Sequence, residues 1–249
     1  MRSLIAAEHL KLRTTRSAPV TLAVVVLLSA LMPLAYATAA GSGDLAPLTS
    51  GSLPDMLLTP VRLIGGALLL LGVLAAASEY GHRTIVTARL QEPRGTLLLV
   101  AKLLSLALLG LVVGVAAEGI ALAASAVTLS QHHVAVQMLT GDIARVFVLV
   151  PLAVALQAAL GVAIGALLRN TAAAVGATLV WALVIEGVLP VVLRRPQLSA
   201  WLPSGAIDEV TATRTASSAL GAGAAALLVL AYATVLVAGT ITLDRRREL

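Results

Sequence analysis

The chain has 249 residues, of which 59% are hydrophobic and 12% charged; its formal net charge is +5 and its mean hydropathy +0.99. A soluble domain is nearer half apolar and a quarter charged, so this composition excludes an ordinary water-soluble fold. The lack of Cys removes disulfides and thiolate metal sites.

Residues 1–17, MRSLIAAEHLKLRTTRS, place Leu4, Ile5 and Leu12 on one side of a helical wheel, with Glu8 interrupting the stripe. Two readings stand: a helix lying in the membrane interface, or a basic flank that only sets orientation. The apolar run that follows ends AYAT and imitates a signal peptide with an A-x-A site at Ala35–Ala37. It is longer than an ordinary signal core, and we read it as a retained first span.

Six segments carry the roughly twenty apolar residues that cross a hydrocarbon core of about 30 Å. They fall at 18–40, 60–78, 100–128, 145–168, 172–193 and 219–243. The runs do not alternate as barrel strands would. The expected fold is therefore all-α: a polytopic membrane protein with six transmembrane helices, forming a single domain over 1–249.

Orientation follows Lys and Arg. With the N-terminus inside, twelve of the seventeen fall on one side: Arg2, Lys11, Arg13, Arg16, Arg83, Arg89, Arg94, Lys102, Arg169 and Arg245 to Arg247. Arg62, Arg145, Arg194, Arg195 and Arg214 fall on the other. Both termini are expected in the cytoplasm of a cell-membrane protein. No basic face is interleaved with stacking aromatics, which argues against nucleic acid as a partner.

Between the spans, the Gly-, Ser- and Pro-rich stretch 41–57 reads as an irregular connection. Lys102, in the first turns of the third span, is expected to snorkel to the inner surface. His132 and His133 are adjacent and cannot share a helix face as a metal pair would, so no metal site is expected. Spans four and five are joined by little more than LLRNT and form a hairpin. Residues 190–218 hold short apolar pieces and read as an outer cap or re-entrant element. Gly110 with Gly114, and Gly161 with Gly165, allow close backbone approach, either within the bundle or at a dimer face.

The chain has no HExxH, paired-Asp or GxSxG motif and no Gly-Lys pair for a Walker A loop. No catalytic role is expected, and any ATP must be bound by another polypeptide. Ionisable groups at membrane depth are candidates by default. Counted at about 1.5 Å per residue, Arg62, Glu118 and Glu186 reach one height, with Gln157 lower. Arg62 is expected to pair with Glu118 or Glu186, either lining a substrate or ion path or fixing helix register. The only aromatics are Tyr36, Tyr80, Phe147, Trp181, Trp201 and Tyr232, which favours an aliphatic, lipid-like or peptide substrate, or a small ion.

The stretch 79–99 is far longer than a turn requires. TIVTARLQE forms a short helix that stops before Pro93, with Ile85, Val86 and Leu90 toward the membrane. Glu79, Tyr80, His82, Arg83, Thr84 and Arg89 are left for another protein; a solvated basic loop is the alternative. EHLKLRTTRS before the first span, with Glu8, Lys11, Leu12 and Arg13, resembles the E-x-x-K-L-R segment of bacterial ABC transporter permeases of the type-2 exporter class. EYGHRTIVTARLQEPRGTLLLVAKLL after the second is similar to their Glu-Tyr, Thr-Ile, Pro-Arg and Lys-Leu signature, at Glu79, Tyr80, Thr84, Ile85, Pro93, Arg94, Lys102 and Leu103. Arg83 departs from it, standing where the family has Gly.

The resemblance implies a permease that pairs with a second copy or a related permease. Separate ATPase subunits, carrying ATP and Mg²⁺, would contact residues 1–16 and the coupling helix at 79–94, including Glu8, Lys11 and Arg13. Residues 190–218 would form an upper gate. Two other readings remain from the residues: an ion-coupled transporter using Glu118 and Glu186, for which no internal repeat is visible, and a non-transporting immunity or regulatory membrane protein.

Overall fold

The computed structural model describes residues 2–42, 47–49, 51–81, 95–135, 141–211 and 221–247. These are helical throughout, without a strand among the described residues. In chain order they form α1 (Arg2–Thr14), α2 (Ser17–Ala39), α3 (Leu53–Leu58), α4 (Val61–Gly81), α5 (Gly95–Gln131) and α6 (Gly141–Leu168). Next come α7 (Thr171–Val180), a π-helix at Trp181–Val188, α8 (Leu189–Val192), a 3₁₀ turn at Pro196–Trp201, α9 (Pro203–Thr211) and α10 (Ala222–Arg247).

Six helical stretches are long and apolar enough to cross a membrane: Ser17–Ala39, Leu53–Gly81, Gly95–Gln131, Ile143–Leu168, Thr171–Val192 and Gly223–Thr242. Their outward faces carry large apolar side chains, among them Leu27, Leu183, Val191, Leu227 and Val235. Water does not tolerate contiguous apolar surface on this scale, whereas lipid requires it. The chain is a multi-pass membrane protein.

The most buried span is α6, which packs against α4, α5 and α10. Glycine makes two of these contacts possible. A Cβ on Gly72 would strike the Ala158 carbonyl oxygen, and one on Gly161 the Leu69 carbonyl oxygen, so α4 and α6 meet backbone to backbone. On the other side of α6, Gly110 and Gly114 of α5 lie against Ala155 and Pro151. The expected small-residue pairs are thus used inside the chain, where apolar burial offers little force in lipid and close packing must supply it.

Two expected loops are shorter than the sequence suggests. Leu53–Leu58, read as irregular, is helical, and Leu53, Met56 and Leu57 are wholly buried. Of the 79–99 stretch, Glu79 and Tyr80 belong to the last turn of α4, and helix resumes at Gly95. The coupling helix expected over Thr84–Glu92 lies outside the described residues.

Candidate functional site: an ionic ring at one end and a tethered cap at the other

At the end of the bundle that carries α1, four charged side chains close into a ring of alternating sign. Lys102 Nζ donates to Glu8 Oε2 at 2.5 Å and to Glu79 Oε1 at 2.9 Å. Lys11 Nζ donates to Glu8 Oε1 at 2.6 Å and to the same Glu79 oxygen at 3.0 Å. The third Lys102 proton is directed to the Ala75 carbonyl, at 3.4 Å, so all three donors of this ammonium are used. The ring joins α1, α4 and α5. Beside it Leu12 is buried, and Ser105 of α5 donates to the Ile5 carbonyl.

Three of the four are nearly out of contact with solvent, with side-chain exposures of 9% for Glu8, 12% for Glu79 and 9% for Lys102. Burial pushes the Glu8 carboxyl up, but the Lys102 charge and the hydrogen bonds from both lysines hold it below its ordinary range. Burial likewise pulls the Lys11 ammonium down, and its bonds to Glu8 and Glu79 more than restore it. Attraction between two charges about 4 Å apart is worth roughly 4 kcal/mol at an effective dielectric near 20. Desolvation costs several kcal/mol per ion. The two nearly cancel, so the ring contributes little net stability and mainly specifies where α1 docks.

Several expectations change here. Lys102 does not snorkel; two carboxylates hold it inward. Glu8 does not interrupt the buried stripe of α1 but fastens it. Glu79, expected to be available to another protein, is turned into the ring. Tyr80 lies under Arg169, with the guanidinium carbon 5.0 Å from its ring centroid, joining the ends of α4 and α6. His82, Arg83, Thr84 and Arg89 lie outside the described residues, as does the side chain of Arg13.

At the opposite end, α9 is tied to four spans. The Glu186 carboxylate, in the π-helix, accepts from Trp181 Nε1 at 2.8 Å and from the Ser204 backbone N–H at 3.4 Å, in the first turn of α9. Arg62, in the first turn of α4, faces Asp208 at 3.8 Å. Arg145 of α6 donates to the Val210 carbonyl at the far end of α9, at 3.1 Å. Tyr232 of α10 donates to the Trp201 carbonyl at 2.8 Å. Ala206 and Ile207 seat α9 on Ala153 and Val229.

The expected pairing of Arg62 with Glu118 or Glu186 is therefore corrected: its ion-pair partner is Asp208. Counting along helices compares only groups on spans, and Asp208 is brought in by a helix that does not span. Burial pushes the Asp208 carboxyl up, to about 6; Arg62 works against this, and Glu186 and Glu209 add to it. Trp181, Ser204, Arg145 and Asp208 were not singled out by sequence. Trp181 alone carried a usable signal, an aromatic donor five residues before a membrane-depth acid, a spacing that a π-helix brings together.

Glu118 stands apart on α5. It is 1% exposed, and its Oε2 has no hydrogen-bond partner among the described residues; the same holds for Ser125 Oγ, two turns further along. Other buried hydroxyls find a carbonyl, Ser29 that of Val25, Thr178 that of Ala174 and Ser105 that of Ile5, as buried polar groups ordinarily do. Gln157 of α6 lays its amide across Gly65 of α4.

Among the described residues neither end sets a nucleophile beside a base, and no group of three or more His, Asp or Glu is placed to hold a metal ion. Each arrangement fixes a short helix onto several spans. Compared with known proteins, the chain matches no family model and no curated sequence.

Proposed function

We propose that this chain is the membrane-spanning permease subunit of an ATP-driven exporter, of the type-2 class that its Glu8–Arg13 and Glu79–Leu103 segments resemble. The α1 end faces the cytoplasm, in keeping with the excess of Lys and Arg there. Separate ATPase subunits bind ATP and Mg²⁺ and dock on α1 and on the 82–94 link. A second permease, identical or related, completes the pathway. The observation that carries this reading is the ring of Glu8, Lys11, Glu79 and Lys102. It ties the two segments that the resemblance assigns to ATPase contact onto α5, so a push on either reaches the bundle. Arg13, His82, Arg83, Thr84 and Arg89 are the contact residues, with Tyr80 beside them; Glu8, Lys11 and Glu79 transmit from behind.

The test is purification of the chain from its native membrane in mild detergent. Vanadate-sensitive Mg-ATP hydrolysis should accompany it and fall when Arg83 and Arg89 are both replaced by Ala. A cysteine at position 89 should react only with reagents that reach the cytoplasm. Labelling of that cysteine from outside intact cells would place the lever on the wrong face and end the reading.

A second reading is favoured by one observation, the orphaned carboxylate oxygen of Glu118. In an ion-coupled transporter such a group carries the driving ion. Uptake that survives ATP depletion, collapses with a protonophore and is lost in Glu118→Gln would select it.

A further inference from the structure

We infer that Glu186 is a latch for the α9 cap, and that the π register of its helix sets the latch. The reasoning begins with spacing. In an α-helix, residues five apart point about 140° away from each other. Trp181 and Glu186 are five apart and hydrogen-bonded, with Nε1 and Oε1 2.8 Å from one another. That bond exists only while Trp181–Val188 is wound as a π-helix, where the Leu189 N–H reaches back five residues to the Val184 carbonyl. The same Glu186 oxygen accepts from Ser204. One oxygen thus reads the winding of a membrane span and holds the first turn of the cap.

The local sequence favours that winding without locking it. Pro190 has no N–H, so an α register would leave the Glu186 carbonyl without its usual donor. Leu183, Val184 and Val188 point outward, at 66%, 47% and 51% exposure, so rewinding breaks little packing. Glu186, 6% exposed, is the buried anchor. Of the other ties, the Arg62–Asp208 pair keeps side-chain exposures of 53% and 44% and holds weakly, and the Arg145 bond to the Val210 carbonyl lies at the far end of α9, away from its first turn. When the segment rewinds to α, Glu186 turns away from both donors and the first turn of α9 is free to lift, loosening its seat on Ala153 and Val229. π segments inside α-helices commonly mark such working positions. This device does not depend on what drives the bundle, so it stands apart from the ATPase reading.

The chain has no native Cys and only two Trp, which makes the test clean. Ile207, on the buried face of α9 and 3% exposed, is replaced by Cys, and its maleimide labelling is timed in the full-length protein in nanodiscs. With Trp201→Phe as background, Trp181 is the chain's sole tryptophan and is excited selectively over tyrosine. Glu186→Ala should speed labelling roughly tenfold to a hundredfold, the range of a lost charge-assisted hydrogen bond, and shift Trp181 emission. Glu186→Gln keeps the acceptor and should stay near the parent rate. Deleting Leu183 makes Trp181 and Glu186 neighbours four apart in an ordinary α-helix. It should keep the bond while removing the alternative winding, so labelling falls below the parent rate. Should Glu186→Ala fail to fold, Trp181→Phe removes one donor alone and should give a smaller increase. Parent-rate labelling in Glu186→Ala or, failing that, in Trp181→Phe would overturn the latch. Fast labelling in the Leu183 deletion would overturn the role of the π register.

Discussion

Lys102 and Glu8, ninety-four positions apart, share a hydrogen bond of 2.5 Å in a site where each side chain keeps 9% of its exposure. Lys102→Met leaves two carboxylates buried with only Lys11 to answer them. Breaking a buried pair from one side costs about 3–5 kcal/mol, so this variant should lower stability by that order in denaturant melts. Replacing all four ring members by apolar residues of similar size should cost much less, because no charge is left stranded. The double-mutant cycle of Lys102→Met with Glu8→Gln should show strong coupling; additive effects would mean that the ring does not act as a unit.

The ring also has a pH window with a definite sign. The Glu8 carboxyl is held below its ordinary value of 4.5. Its contribution is therefore present above that value and lost as pH falls through the lower folded value. The Lys11 ammonium is held above its ordinary 10.5, so its contribution is present below that value and lost on the alkaline side. The hydrogen-exchange protection of α1, taken relative to the intrinsic rate at each pH, should be high across neutral pH and fall in acid below about pH 4.5. Glu8→Gln should abolish the acid limb.

The α4–α6 contact makes a sharp distinction among glycines. A side chain at Gly161 would fall on the Leu69 carbonyl, whereas one at Gly66 or Gly176 meets nothing within 4 Å. Gly161→Val should therefore destabilise the bundle by about 1–3 kcal/mol or more through overpacking. Gly66→Ala and Gly176→Ala should be neutral or slightly stabilising in thermal melts, since Ala is the better helix former. Equal effects at all three positions would show that close approach is not what holds α4 to α6.

Hydropathy alone located all six spans to within a few residues, because lipid demands a continuous apolar length and little else produces one. The exception is instructive: Leu53–Leu58 is interrupted by Pro54 and Asp55 and stayed below the length that reads as a span. The ionic ring was half legible. Leu4, Ile5 and Leu12 marked an apolar side of α1, but Glu8 read only as an interruption of it, and periodicity says which face is apolar without saying against what it packs. Lys102 could be placed at a depth and not against a neighbour. Arg62 was misassigned for a related reason, since depth compares groups along spans and Asp208 arrives from a helix outside them. The bond between Trp181 and Glu186 was hidden by the assumption of α winding, under which the two residues face apart.

The cap offers the last test, through Asp208. Its carboxyl is pushed up to about 6 by burial, against the pull of Arg62 and with the push of Glu186 and Glu209. A carboxyl with a raised folded value contributes stability that is fully present below its ordinary 3.8 and is lost as pH rises through about 6. Relative to the intrinsic exchange rate at each pH, the α9 amides should therefore be less protected at pH 7.5 than at pH 5, the opposite sign to α1. Solvent around a side chain that keeps 44% of its exposure limits the change to below about 1 kcal/mol. Asp208→Asn, neutral at every pH, should keep the higher protection throughout. Arg62→Ala removes the group that stabilises the charged form, so the midpoint should move further up. A midpoint that moves down in Arg62→Ala would show that Arg62 does not act on Asp208, and the tie between α4 and α9 would have to be redrawn.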